Sequence, residues 1–314
     1  MNLPRNLIGN VSEILVQREQ RAARIAKSDA VISFERSADR CNRQRGNGTS
    51  TACSDRVDRV ADVRHGSVRV AAIGDLHCGR QGQNPTKPLL SGAAADADVL
   101  LLCGDLVDHG LPEEARVIAG ELAATGKPVV AVLGNHDFES GQEKEVAAIL
   151  EAAGVHLLDG DCVEVAGVGI AGVKGFAGGF GAYALGAWGE NAIKAFVHEA
   201  VEEALKLEVA LSKLRTPSRI VLLHYSPIAA TVAGECAEVY PFLGSSRLEE
   251  PINRYGAVAV FHGHAHNGQP EGRTSKGIPV YNVSVPVLER AFPQAPPFRL
   301  VDVPLSEVAT GEVP

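Results

Sequence analysis

Five apolar runs in this chain end in side chains that can bind metal or move protons. Val68 to Ile73 leads into Asp75-Leu76-His77, Val99 to Cys103 into Gly104-Asp105-Leu106-Val107-Asp108, and Val129 to Leu133 into Gly134-Asn135-His136-Asp137. Ile220 to Leu223 leads into His224, and Val258 to Phe261 into His262-Gly263-His264-Ala265-His266. Carboxylate oxygens and imidazole nitrogens two residues apart are donors that borderline divalent metals accept. The glycines let the backbone turn tightly, so the next polar side chain reaches the rim of a sheet. Any one of these clusters reads as a hydrogen-bonded loop. Five of them in order, each directly after a buried-type run, point to one metal site.

The elements that must position these residues follow from periodicity. Short β-branched or Leu-rich runs alternate with helical spacing over Pro112 to Thr125 and Glu139 to Ala153, which predicts βαβ units with parallel, two-side-buried strands. Further strands are expected at Cys162 to Val165, Val168 to Val173, Arg219 to Leu223, Ala257 to Phe261, Ile278 to Val283 and Phe298 to Val303, enough for more than one sheet. In open α/β sheets ligands bind at the carboxyl ends of strands, where all five clusters fall. A stretch over 167–189 carries nine glycines. It precedes an expected helix from about Glu190 to Leu214, and residues 174–214 are a candidate lid.

The chain has 314 residues, 45% of them hydrophobic, and a formal charge of −8. That balance divides unevenly: residues 1–66 hold 12 Lys and Arg against 8 Asp and Glu, leaving a net −12 on residues 67–314. We therefore expect a polar, Arg-rich extension over 1–66, either disordered or left untranslated by a start between Val57 and Val68, and a catalytic domain over 67–314. Residues 11–27 have the spacing of an amphipathic helix. No apolar run approaches the roughly 20 residues that span a bilayer, and Leu7 and Ile8 open no secretory core. A cytoplasmic protein without a membrane partner is expected, its six cysteines reduced.

The order D-x-H, G-D-x-x-D, G-N-H-D, H and G-H-x-H resembles that of the calcineurin-like metallophosphoesterases, and the resemblance covers about residues 67–303. It implies an α/β fold in which a two-layer sandwich of mixed β-sheets is flanked by helices (α/β/β/α). It also implies two divalent metal ions. Asp75, His77 and His266 would hold one metal, Asn135, His224 and His264 the other, with Asp105 bridging. His136 would be the catalytic histidine and Asp137 would orient its ring, while Asp108 supports the loop. The implied chemistry is hydrolysis of a phosphomonoester or phosphodiester by a hydroxide shared between the metals. Ligands without thiolate favour manganese, iron or zinc, and Cys78 beside His77 is a candidate oxidation site.

The acidic domain disfavours extended nucleic acid, so a small phosphorylated substrate such as a nucleotide or cyclic nucleotide is expected. Two alternatives stay open: a binding or scaffold protein on the same fold, and a nuclease of the superfamily. Arg247 is a weak candidate for substrate binding, set against a reading of Ser246 as a helix N-cap ahead of Glu249. Gly167 to Gly172 matches G-x-G-x-x-G but lies inside β-type alternation, and Gly120 to Lys127 misses a P-loop by one residue and by Pro128.

Overall fold

The computed structural model describes residues 66–79 and 86–305, together with the short strand β1 (Arg56–Val57). Backbone contacts divide the chain into Met1–Thr51 and Ala52–Pro314. The first unit, with the expected helix over 11–27, lies outside the described residues.

One sheet has the order β12-β2-β3-β4-β5, built from β2 (Ser67–Ile73), β3 (Val99–Cys103), β4 (Val129–Val132), β5 (Val155–Leu157) and β12 (Arg299–Pro304). Its first four strands in chain order are parallel, and β12 closes one edge antiparallel to β2. The other sheet has the order β1-β6-β7-β8-β9-β11-β10. Its further strands are β6 (Asp161–Val165), β7 (Val168–Gly172), β8 (Arg219–Leu222), β9 (Ala259–His262), β10 (Glu271–Arg273) and β11 (Pro279–Asn282). Both sheets are mixed: β6–β7 and β10–β11 pair antiparallel, and β7, β8, β9 and β11 run parallel.

The period-2 alternation of the strands builds three apolar layers. Ala71, Ile73, Leu100, Leu102 and Ala131 face outward against α1 (Lys87–Asp96), α2 (Pro112–Thr125) and α3 (Glu143–Ala152). Val70, Ala72, Leu101, Cys103 and Val132 face inward and meet Ile170, Ile220, Leu222 and Phe261 of the second sheet. Val221, Leu223 and Val260 face the opposite way, against α4 (Asn191–Lys213) and α6 (Glu249–Tyr255). Helices, sheet, sheet and helices therefore stack in the expected α/β/β/α order. Phe261 is fully buried at the centre, where truncation to alanine costs about 3–5 kcal/mol.

The long helix after the glycine-rich stretch belongs to this outer layer, since α4 buries Val197, Ala200, Leu207, Ala210 and Leu211. The glycine-rich segment itself is tied down. Gly178 and Gly179 donate to the carbonyls of Pro241 and Gly244, and the Ser246 amide donates back to Gly179. Ser246 is not the expected N-cap: α6 begins at Glu249 behind Leu248, with no side-chain cap, and the Ser246 hydroxyl accepts from the Gly181 amide instead. Among the described residues Cys78, Cys103, Cys162 and Cys236 form no disulfide, and no helix is long and apolar enough to cross a membrane.

Candidate metal centre

The two sheets meet at the carboxyl ends of β2, β3 and β4 on one side and of β8 and β9 on the other. The main chain forces the five clusters together there. Asp75 N donates to the Gly104 carbonyl and His77 N to the Asp105 carbonyl, both at 3.0 Å, and Gly263 N donates to the His224 carbonyl at 3.2 Å. Asp75, His77, Asp105 and His264 have φ of 59°, 43°, 48° and 69°. For residues with a Cβ this left-handed backbone costs on the order of 1–3 kcal/mol each and persists where the surroundings dictate it.

Three glycines leave the space the ligands occupy. A Cβ on Gly134 would collide with Asp105 Oδ1, one on Gly263 with Asp75 Oδ2, and one on Gly104 would lie 2.5 Å from His224 Nδ1. Asp75 is buried and accepts His264 N at 2.9 Å, with His266 Nε2 2.8 Å from its Oδ1. Burial pushes the Asp75 carboxyl up, but His266 and the neighbouring histidines outweigh that and hold it below the usual range.

Donor atoms of Asp75, His77 and His266 all lie within 4.8 Å of one another, as do those of Asp105, His224 and His264. Asn135 joins the second group through Oδ1, 2.9 Å from His224 Nε2. Asp105 sits between the groups, Oδ2 lying 3.9 Å from His77 Nε2 and Oδ1 lying 3.5 Å from His224 Nε2. The residues fit divalent metals in a further respect. Metal-ligating histidines characteristically give their second nitrogen to a backbone carbonyl. His224 Nδ1 lies 2.9 Å from the Cys103 carbonyl and His264 Nε2 3.2 Å from that of Phe242, in α5 (Tyr240–Leu243), leaving one nitrogen of each ring for an ion.

His136 stands beside these groups, its ring 4.5 Å from that of His77 at nearly a right angle. Its amide donates to Asp105 Oδ1, and its Nδ1 lies 2.8 Å from the Asp108 carbonyl. Burial disfavours the charged ring, but the Asp108 carbonyl and the carboxylates of Asp105, Glu139 and Asp108 prevail and raise its pKa. The ring is therefore oriented by Asp108 through the main chain. Asp137, expected to orient it, is fully buried and turned away, accepting the amides of Gly134 at 2.7 Å, Val107 at 3.0 Å and Leu106 at 3.3 Å. The 3₁₀ turn His136–Phe138 explains the difference, because it directs adjacent side chains apart.

Arg247 is half-buried and donates from Nη2 to the Leu185 carbonyl, joining the segments around the glycine-rich stretch. Cys78 is buried, and burial raises its thiol pKa, which disfavours the reactive thiolate. One residue missed in the sequence stands out. Lys174 follows the strand expected over Val168 to Val173, and its carbonyl accepts the amides of both His224 and Tyr225 at 3.0 Å. The rule that found the other clusters, a polar residue at a strand's carboxyl end, applies to it equally.

A family model described as calcineurin-like phosphoesterase matches residues 68–268, more than half of the chain. Among solved structures, phosphopantetheinyl hydrolase from Mycobacterium tuberculosis superposes with a TM-score of 0.52 at 16% identity, covering 75% of this chain and 96% of that one. A Thermus thermophilus protein gives 0.44 at 15% identity, covering 76% and 100%. A putative 5'-nucleotidase from Staphylococcus aureus gives 0.44 at 14% identity, covering 69% and 48%. No curated protein matches the chain in sequence.

Proposed function

The chain belongs to the calcineurin-like phosphoesterase family, and from that premise we propose that it hydrolyses a phosphoester of a small molecule at a centre of two divalent metals. The observation that carries this reading is the Asp105 carboxylate, whose two oxygens face imidazole nitrogens of separate ligand groups. Asp75, His77 and His266 would hold one ion, Asn135, His224 and His264 the other, and Asp105 would bridge. Manganese, iron or zinc suits these oxygen and nitrogen donors. Such ions supply positive charge that attracts and polarises the phosphoryl group and acidifies water.

The chain's own residues supply the remainder. With Nδ1 on the Asp108 carbonyl, His136 presents Nε2 as the atom that gives a proton to the departing oxygen. Asp137 fixes the Leu106–Val107 and Gly134 main chain on either side of Asp105, so the ligand loops keep their spacing. A small ester rather than nucleic acid is favoured by the net −12 of residues 67–314.

The experiment is a panel of phosphomonoesters and phosphodiesters, incubated with full-length protein reconstituted with each of the three metals. Metal-dependent release of phosphate or of the alcohol from at least one small ester is expected. Metal-loaded protein inert to the whole panel would sink the reading in favour of a binding role.

A further inference from the structure

His262 is the one histidine of the five strand-end clusters that has no part as a ligand or proton donor. It ends β9, and its ring is fully buried. Nδ1 lies 2.8 Å from the Gly263 carbonyl and Nε2 2.8 Å from Thr231 Oγ1. Burial pushes the ring's pKa down to about 4, so the ring is neutral and has one N–H to give. The Gly263 carbonyl can only accept, which places that proton on Nδ1 and leaves Nε2 to accept from the Thr231 hydroxyl. Thr231 Oγ1 in turn accepts from the Ser226 hydroxyl at 2.8 Å. Ser226 and Thr231 are fully buried as well.

This chain closes a circuit of hydrogen bonds around the second ligand group. Ser226 stands two residues after His224, the Gly263 carbonyl belongs to the peptide that leads into His264, and the Gly263 amide donates to the His224 carbonyl at 3.2 Å. The circuit therefore ties together the carboxyl ends of β8 and β9, which deliver His224 and His264 with their rings 4.8 Å apart. A buried polar network that is fully satisfied rigidifies what it connects. The other half of the histidine loop has anchors of its own. Asn282 Nδ2 donates to the Ala265 carbonyl at 2.8 Å. Arg290, in α7 (Val285–Ala291), donates to the carbonyls of His266 and Gly268 at 2.8 and 2.9 Å.

We propose that His262 and Thr231 are positioning residues that set the spacing of His224 and His264 for the second metal ion. The inference rests on the two-metal reading above and deepens it. Neither residue touches the ion or the substrate: they act through the Gly263 carbonyl and the turn after His224.

The test titrates metal-free, full-length protein with manganese and reads each binding step by calorimetry, with Asn135→Ala marking the step that belongs to the second ion. Thr231→Val keeps nearly the same side-chain shape and removes the hydroxyl. It is expected to weaken the second ion about tenfold, as loss of an outer partner of a metal ligand does. The first ion should change by less than about threefold, because its half of the loop is anchored separately. Thr231→Ser restores the hydroxyl and should recover most of the affinity. An unchanged second step in Thr231→Val, an equal loss at both steps, or no recovery in Thr231→Ser would overturn the proposal.

Nitrogen NMR of the histidine rings adds a readout that needs no metal. In metal-free wild type His262 should carry its proton on Nδ1, and the ring signals of His224 and His264 should shift in Thr231→Val and return in Thr231→Ser. If the wild type takes up no metal, the two-metal reading fails, and these signals decide by themselves whether the circuit positions the two rings. A His262 proton on Nε2, or His224 and His264 signals unmoved by Thr231→Val, overturns it.

Discussion

His224 and Asn135 meet through Nε2 and Oδ1 at 2.9 Å, while the other nitrogen of the same ring lies 2.9 Å from the Cys103 carbonyl. A neutral imidazole has one N–H and can satisfy only one of these oxygens. With the proton on Nδ1 for Cys103, Nε2 and the amide oxygen bring two lone pairs to one place, an arrangement a cation resolves. The protein is therefore expected to bind close to two equivalents of manganese, iron or zinc by elemental analysis. Asp105→Asn, which weakens the shared ligand, should lose most of both. Binding should also raise the melting temperature, since an ion at 100 times its Kd adds about 2.7 kcal/mol. Identical melting curves with and without chelator would count against a metal centre at this place.

Removing the His136 ring should separate turnover from metal binding. In His136→Ala the metal content is expected to stay at the wild-type level while kcat falls about 10²- to 10⁴-fold, the usual contribution of a positioned general acid. Asp137→Ala should behave differently, because it leaves three buried amides without their acceptor, each worth about 1–3 kcal/mol. Its signature is a lowered melting temperature together with reduced metal occupancy. A normal melting temperature in Asp137→Ala would remove its structural role.

The cluster of candidate metal ligands was legible in the sequence because strand ends are marked twice, by an apolar run and by the polar residues that break it. Pro112–Thr125 was equally plain, with proline at its start and Gly126 in the left-handed conformation at its end. What stayed hidden depends on partners distant in sequence. The three-residue strands Val155–Leu157 and Glu271–Arg273 are too short to show a period, and they exist because β4 and β11 offer edges. Ser246 carries a capping spacing, yet its hydroxyl found Gly181, 65 positions away. Asp137 follows a candidate catalytic histidine, and adjacency alone points to that neighbour, whereas its carboxylate accepts amides at positions 106, 107 and 134.

The glycines that border the carboxylates should be as sensitive as the ligands. In Gly263→Ala the new methyl group would occupy the space of Asp75 Oδ2, and in Gly134→Ala that of Asp105 Oδ1. Displacing a reacting-site group by about 1 Å costs on the order of 10²-fold in rate, so each variant should lose at least that much activity and bind less metal. Gly120→Ala is the control: nothing lies within 4 Å of the added carbon, and the position is inside α2. It should gain roughly 0.5–1 kcal/mol of stability with unchanged activity. Full activity in Gly134→Ala and Gly263→Ala would show that the carboxylates tolerate displacement.

The buried Glu203 links stability to the same region. It accepts the Gly175 amide and Lys206 Nζ, both at 2.7 Å, and thereby holds the turn after Lys174 against α4. Lys206→Met leaves that carboxylate buried without its cation. Because the Lys206 side chain is 40% exposed, the expected loss is on the order of 1–3 kcal/mol, between a solvated pair and a fully buried one. Burial works against the Lys206 charge, but Glu203 and Asp159 overcome it and raise the ammonium pKa above its ordinary 10.5. A raised folded-state pKa gives stability that is whole below the unfolded value and is lost as pH rises through the folded one. The stability difference between wild type and Lys206→Met in urea should therefore be constant from about pH 6 to 9 and shrink only above about pH 10.5. A difference already gone at about pH 8 would show that the pair contributes nothing through charge.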